Sequence, residues 1–205
     1  MRDSVAKPGR IGRPPSKTAG AHAAIMDAVY ALLQARSVRD LTMEAIAKRA
    51  GVGKPTLYKW WPSKAALVFA MFHERLAGEP AVTKARTAEA AIRERARRLV
   101  VALNGLFGKV IAELIAEGQS DPTVLRELYE QHIDPRRAAA LLDIERGKAN
   151  EEIVRDADAE ALLEEIFGAI YYRMLLRSGP LTEAYGDRVV DQVFRGLRVR
   201  KARAR

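Results

Sequence analysis

The chain has 205 residues, 48% of them hydrophobic but only 6% aromatic, so any core is built mainly from aliphatic side chains. It contains no cysteine, which excludes a disulfide framework, a thiol nucleophile and cysteine-ligated zinc. The net charge of +9 is uneven: residues 1–64 hold 12 Lys+Arg against 4 Asp+Glu, and the remainder hold 23 against 22. A basic surplus confined to one end predicts a polyanionic partner for that end.

Residues 1–17 are polar, basic and rich in Gly and Pro, the composition of a flexible arm. Its basic start is not followed by an apolar run, so no secretory signal is expected. Arg10 and Arg13 flank Gly12, and arginines in such an arm can enter a narrow A·T-rich minor groove. The same residues also fit a plain solvated tail. An amphipathic helix follows, with Ile25, Val29, Leu32 and Leu33 on one face and Ser16 or Thr18 as its cap.

Residues 41–66 carry the most information. Thr42 is a good N-cap, Glu44 puts negative charge in the first turn, and Leu41 and Ile46 are spaced as a hydrophobic staple. Gly51 is placed to end the helix in a left-handed conformation, and Val52 can plug the corner. Gly53 and Pro55 then open a second short helix, in which Leu57 faces the first. Two short helices joined this way form a helix-turn-helix, whose second helix enters the major groove. Lys54, Lys59 and Lys64 can neutralise phosphates, Tyr58 can donate to a phosphate oxygen, and Thr56 can reach a base edge. Thr42 and Pro55, at the starts of the two helices, complete the expected DNA-binding surface. Spacing alone also fits an ordinary helical hairpin with solvated lysines.

The order Thr42, Ile46-Ala47, Ala50-Gly51-Val52, Thr56-Leu57-Tyr58 and Pro62-Ser63-Lys64-x-x-Leu67 resembles the N-terminal domain of the tetracycline-repressor (TetR) family of bacterial transcription regulators. The likeness spans roughly residues 18 to 76, a length suited to a small helical domain and a connector. Two features depart from it: Gly53 replaces a polar cap common in members, and Trp60-Trp61 replaces a histidine or phenylalanine. The resemblance implies an all-α protein, with an N-terminal three-helix helix-turn-helix domain and a C-terminal helical bundle for dimerisation and ligand binding. It divides the chain into an arm (1–17), a DNA-binding domain (18–78) and a regulatory domain (79–205). It implies a cytoplasmic homodimeric repressor that binds a palindromic double-stranded operator and answers to a small-molecule effector.

Pro62 and Ser63 start a fourth helix with Leu67, Val68, Met71 and Phe72 on its apolar side, ending near Gly78. One long helix is expected from about residue 85 to 117, on the recurrence of Leu99, Leu103, Leu106, Val110 and Leu114. Asp121-Pro122 opens another helix, Ile133-Asp134-Pro135 is expected to break it, and a further helix runs over 136–148. After a polar connection at 150–156 comes a broad apolar helix over 158–176, ended by Ser178-Gly179-Pro180. Thr182 caps the last helix, and the basic run after Arg195 reads as a solvated tail. No apolar run approaches the ~18 residues that span a bilayer, so no membrane partner is expected.

The 158–176 helix carries two adjacent apolar stripes, more than one core contact buries. The second stripe is either more core or a partner surface; the TetR resemblance, in which the last two long helices pair with their symmetry mates in a four-helix bundle, implies Leu163, Phe167, Ile170 and Met174, with Val190, Val193 and Phe194 of the last helix, at a homodimer interface. A largely apolar effector is expected between the helices of 85–176, against Leu103, Phe107, Val110 and Tyr171. Glu113 and Glu117 project near the middle of the same stripe; if buried they would favour a cationic group, and otherwise they meet water or a basic neighbour.

Enzyme chemistry finds little support. Gly53-Lys54-Pro55-Thr56 lacks the earlier glycine and preceding strand of a phosphate loop. His22, His73 and His132 stand apart, outside any metal-ligand spacing, and no serine sits in a G-x-S-x-G elbow. Neither cofactor nor metal is expected. The competing readings are an architectural DNA-binding protein without an effector and, less well supported, a helical-bundle enzyme.

Overall fold

A computed structural model describes residues 16–75 and 85–197, and no strand occurs among them. Helix α1 (Ser16–Ala35), α2 (Met43–Ala50) and α3 (Lys54–Trp60) form the head, and α4 (Lys64–Arg75) leads out of it. Thr42 Oγ1 accepts from Ala45 N at 3.1 Å, which satisfies an orphan donor of α2. Gly51 ends α2 at φ 68°, the left-handed geometry that glycine adopts without strain. Ile25, Val29, Leu33, Ile46, Leu57 and Leu67 are fully buried, so α1 to α4 share one aliphatic core. Both tryptophans pack on α1: the His22 ring lies 6.0 Å from Trp60 and 5.4 Å from Trp61.

The long helix expected over 85–117 is two helices, α5 (Ala88–Leu103) and α6 (Leu106–Gly118), bent by 84°. The cause is the Asn104-Gly105 pair, a turn-forming dipeptide inside an otherwise helical pattern. Asn104 Nδ2 donates to Val100 O at 3.0 Å and to Leu181 O at 2.8 Å, fixing the corner to the chain that precedes the last helix. Gly108 is required there as well, since a Cβ would stand 1.8 Å from Leu103 O.

Asp121 caps α7 (Pro122–Leu128) as the sequence suggests. The break at Asp134-Pro135 is not present: a π-helical turn (Tyr129–Ile133) carries the chain from α7 into α8 (Asp134–Ala149). The Asp134 N–H bonds five residues back to Tyr129 O, and this widened turn lets Pro135 sit at the start of α8, where its missing N–H costs least. Asp158 caps α9 (Ala159–Leu176), and Thr182 Oγ1 accepts from Tyr185 N ahead of α10 (Glu183–Leu197). Arg97 grips Asp187 with two bonds of 2.8 Å, and Arg93 reaches Glu89 and Asp191, so α10 is pinned along α5.

Most of both apolar stripes of α9 turns into the chain's own core, while Leu175 at its end stays exposed. Leu163 and Ile170 are buried, as are Val190 and Phe194 of α10, and they have no surface left for a partner. Met174 and Val193 are half-buried against the same core. Leu163, Ile170, Val190 and Phe194 of the expected interface thus lie in the chain's own core, while Phe167, Met174 and Val193 keep part of their surface; α9 is packed by α5, α6, α8 and α10 together, so it buries a wider face than a single contact needs. Among the described residues no single helix is long and apolar enough to cross a membrane.

Candidate functional site

The outer surface of the helix-turn-helix is polar and basic. Lys54, Pro55, Tyr58 and Lys59 of α3 are exposed, Tyr58 at 55%, while Leu57 of the same helix is fully buried. Burial of Leu57 fixes the rotation of α3 and thereby turns Tyr58 and Lys59 outward. Thr56 is half-buried beside them, and Thr42 is exposed with its hydroxyl engaged in the cap. Lys54 Nζ bonds Glu44 Oε2 at 2.9 Å, and the pairing lowers the pKa of Glu44 and raises that of Lys54. Such an exposed pair opens readily when a phosphate competes for the ammonium. Lys48 and Arg49, in the last turn of α2, are exposed too and extend the basic surface. Their position in the first helix of the motif drew no notice in the sequence, although two successive basic residues beside the glycine turn were the available signal. Arg10 and Arg13 lie outside the described residues.

Lys64 is placed differently from the phosphate contact expected of it. Its ammonium donates to Val38 O at 2.8 Å and meets Glu117 Oε1 at 3.3 Å. It belongs to a polar joint between the head and α6. There Glu113 Oε2 accepts from Val38 N at 2.6 Å, and Lys109 Nζ donates to Leu33 O and Arg36 O at the end of α1. Lys109, Glu113 and Glu117 follow at four-residue spacing, so one face of α6 holds the head. Ser63 Oγ adds a bond to Glu127 Oε2 of α7 at 2.7 Å.

Glu113 and Glu117 meet the basic neighbours Lys109 and Lys64, the alternative to a cationic ligand, although Glu117 Oε2 is buried without a hydrogen-bond partner. Leu103 and Val110 are buried in solid core. A cavity of about 200 Å³ lies elsewhere, among α5, α8, α9 and the π turn. Leu99, Ile133, Leu163, Phe167 and Tyr171 form its apolar lining, and Arg95, His132, Arg136, Arg137 and Glu164 its polar lining. Tyr171, expected against an effector, lines this cavity, as do Phe167 and Leu163, which were expected at a partner chain. Phe107 stands behind it, 4.7 Å from the His132 ring and 5.2 Å from Phe72 of α4.

The polar lining is held by a buried network. Arg95 and Asp143 are buried and paired at 2.9 Å, and Asp143 also meets Arg146 at 3.1 Å. Burial pushes His132 down to about 3, with the Arg136 guanidinium and His73 adding to the shift, so the ring is neutral. Sequence reading missed these residues. Arg95 was the readable signal, because it occupies a position within the Ile92, Leu99, Leu103 stripe where an apolar side chain is expected.

Residues 25–71 match the family described as bacterial regulatory proteins, tetR family, and residues 82–193 match tetracyclin repressor-like, C-terminal domain. The chain belongs to the TetR family. It is an all-α transcription regulator with a helix-turn-helix DNA-binding domain. It is 32% identical over 191 residues to the HTH-type transcriptional regulator YdeS of Bacillus subtilis (strain 168), covering 93% of this chain and 96% of that one. The crystal structure of the TetR family transcription regulator SCO0332 is similar at a TM-score of 0.73 and 28% identity, covering 86% of this chain and 98% of that one. FadR from Bacillus subtilis, solved in complex with stearoyl-CoA, shares the fold at a TM-score of 0.68 and 18% identity, over 86% of this chain and 99% of its own. In this TetR regulator eight α9 residues are exposed: Glu160 and Glu164, which pair with Arg137, and Ala161, Glu165, Gly168, Tyr172, Leu175 and Leu176, which form a stripe at three- and four-residue spacing.

Proposed function

We propose that the protein is a cytoplasmic homodimeric repressor that binds a palindromic operator and leaves it when a small molecule enters the α5–α8–α9 cavity. The observation that carries this reading is the shared helix α6. Its Phe107 ring packs at a tilt against His132 of the cavity lining, and its Lys109, Glu113 and Glu117 hold the head through Val38, Arg36 and Lys64. A ligand that moves the π turn therefore acts on the element that sets the head's orientation. Release requires that the ligand bind more tightly to the arrangement with misplaced heads, and its reach is limited by that difference. The stearoyl-CoA held by FadR supports room for an effector in this fold.

The dimer forms through the exposed stripe of α9 with the outward face of α10. Alanine and glycine at Ala161 and Gly168 allow close helix approach, and Tyr172, Leu175 and Leu176 supply apolar area. Two heads related by a two-fold axis match half-sites about one helical turn apart. Arg10 and Arg13 add minor-groove contacts at A·T-rich flanks.

Selection of the full-length chain against random duplex DNA tests the reading. The expected result is an enriched inverted repeat, bound by a dimer in sedimentation equilibrium. Tyr172→Glu should yield a folded monomer that binds the repeat weakly. Enrichment of no sequence, or of a lone half-site bound by a monomer, would overturn it. Deleting residues 1–15 should weaken A·T-flanked sites more than G·C-flanked ones.

A further inference from the structure

The charged groups of the cavity lining are already engaged. Arg95 pairs with Asp143 and also donates to Ala139 O at 3.3 Å. Arg137 pairs with Glu160 and, at 3.3 Å, with Glu164, which stands exposed at the rim. Arg136 Nη1 donates to His132 O at 2.9 Å and to His132 Nδ1 at 2.8 Å. Arginine can only donate, so Nδ1 accepts and the proton of this neutral ring sits on Nε2. That N–H has no hydrogen-bond partner among the described residues, and it is not sealed from solvent. His132 forms part of the cavity wall, so the N–H is presented to the cavity. Around it the wall is apolar, with Leu99, Ile133, Leu163 and Phe167.

Resting on the effector reading above, we propose that the cavity selects an uncharged aromatic ligand that carries one hydrogen-bond acceptor, a carbonyl oxygen, for His132 Nε2–H. A buried donor left without a partner is costly, so the site penalises a ligand that covers the N–H without satisfying it. The space sets the size. A cavity of about 200 Å³ exceeds the ~150 Å³ that accepts benzene, which leaves room for one ring and a short substituent. The Phe167 ring gives an aromatic body an edge or a face to pack on. A charged ligand is held less well. A carboxylate has to displace a partner from a guanidinium, and a charge of either sign is costly to enclose among apolar groups unless it is paired.

Acetophenone, ethylbenzene, benzoate and benzylamine share one ring and differ in the substituent. Binding to the full-length protein is measured by calorimetry at pH 7.5, and release of the selected operator by fluorescence anisotropy. Acetophenone should bind and release the operator, and benzoate and benzylamine should bind at least about tenfold more weakly. The ratio of acetophenone to ethylbenzene affinity isolates the donor, because each probe's own transfer from water cancels when variants are compared. His132→Phe should lower that ratio about fivefold or more. His132→Asn should do the same, since its amide oxygen can accept from Arg136 in place of Nδ1 but its side chain stops short of the Nε2 position. His132→Gln, whose amide reaches that position, should restore part of the ratio. Should His132→Phe fail to fold, His132→Asn against His132→Gln carries the comparison. Absence of acetophenone binding, benzoate or benzylamine binding as tightly as acetophenone, or a ratio unchanged in His132→Phe and His132→Asn overturns the ligand class. Operator release by benzoate or benzylamine alone also overturns it, and leaves the effector reading standing. A ratio that depends on His132, with no release by any probe, supports the ligand class and overturns the effector reading.

Discussion

The head and the regulatory domain use positive charge in opposite ways. In the head, Lys48, Arg49, Lys54 and Lys59 stand in solvent, and the one ion pair among them, Lys54–Glu44, is exposed on both sides. In the regulatory domain, Arg95 is buried against Asp143, and Arg93 and Arg97 are tied to acids of α10. Solvated cations are free to exchange water and counterions for phosphate, so they supply affinity and salt dependence but little stability. A buried guanidinium is held in place because leaving its partner uncompensated is costly. Positive groups therefore do different work according to where the fold puts them.

The largest effect should come from breaking the buried side of that contrast. Asp143→Ala leaves Arg95 buried without its carboxylate, and should destabilise the protein by about 3–5 kcal/mol in chemical denaturation. A loss below about 1 kcal/mol would mean that water enters the network and that the cavity is wetter than its burial implies. The next effect should appear in the head. Tyr58→Ala/Lys59→Ala should weaken operator binding about a hundredfold, lower the salt slope by about one unit and leave the melting temperature unchanged. Unchanged affinity would remove α3 from the groove.

His132 lies between the two regimes, a titratable ring in the cavity wall. The fold holds it neutral, so its stabilising contribution is complete above about pH 6.5 and is lost as pH falls towards about 3. Between pH 7 and pH 5 the loss is about 2 kcal/mol. His132→Phe keeps a ring beside Phe107 but cannot take up the proton, so its stability should fall less over that interval. Parallel wild-type and variant curves would show that the ring already reaches solvent.

The head was legible because its signals are local. Thr42, Gly51 and Leu57 each do in the structure what their residue types do in short segments, and their spacing fixes which lysines are left outside. The regulatory domain hides its design in contacts between distant segments. Glu113 is 75 residues from Val38, whose N–H it accepts, so helical periodicity placed it on an apolar stripe without revealing the head beyond. Leu163 and Ile170 looked like surplus apolar surface because the four helices that cover α9 are not visible from α9 alone. Asn104-Gly105 was a readable break that the leucine recurrence on either side outweighed, and a local rule was the better guide there.

The smallest effect separates charge from structure at one residue. Lys54 is exposed and paired with Glu44, an arrangement that holds the ammonium close to the groove face without burying it. Lys54→Gln should leave thermal stability unaltered and lower the salt slope of operator binding by about one unit. Glu44→Gln should also leave stability unaltered, but it frees the ammonium from its competitor, so affinity at low salt should rise slightly. The two variants move binding in opposite directions only if phosphate and Glu44 compete for the same lysine. If both weaken binding alike, the pair is positioning α2 against α3, and the exposed cations of the head would then share the structural duty assigned here to the buried ones.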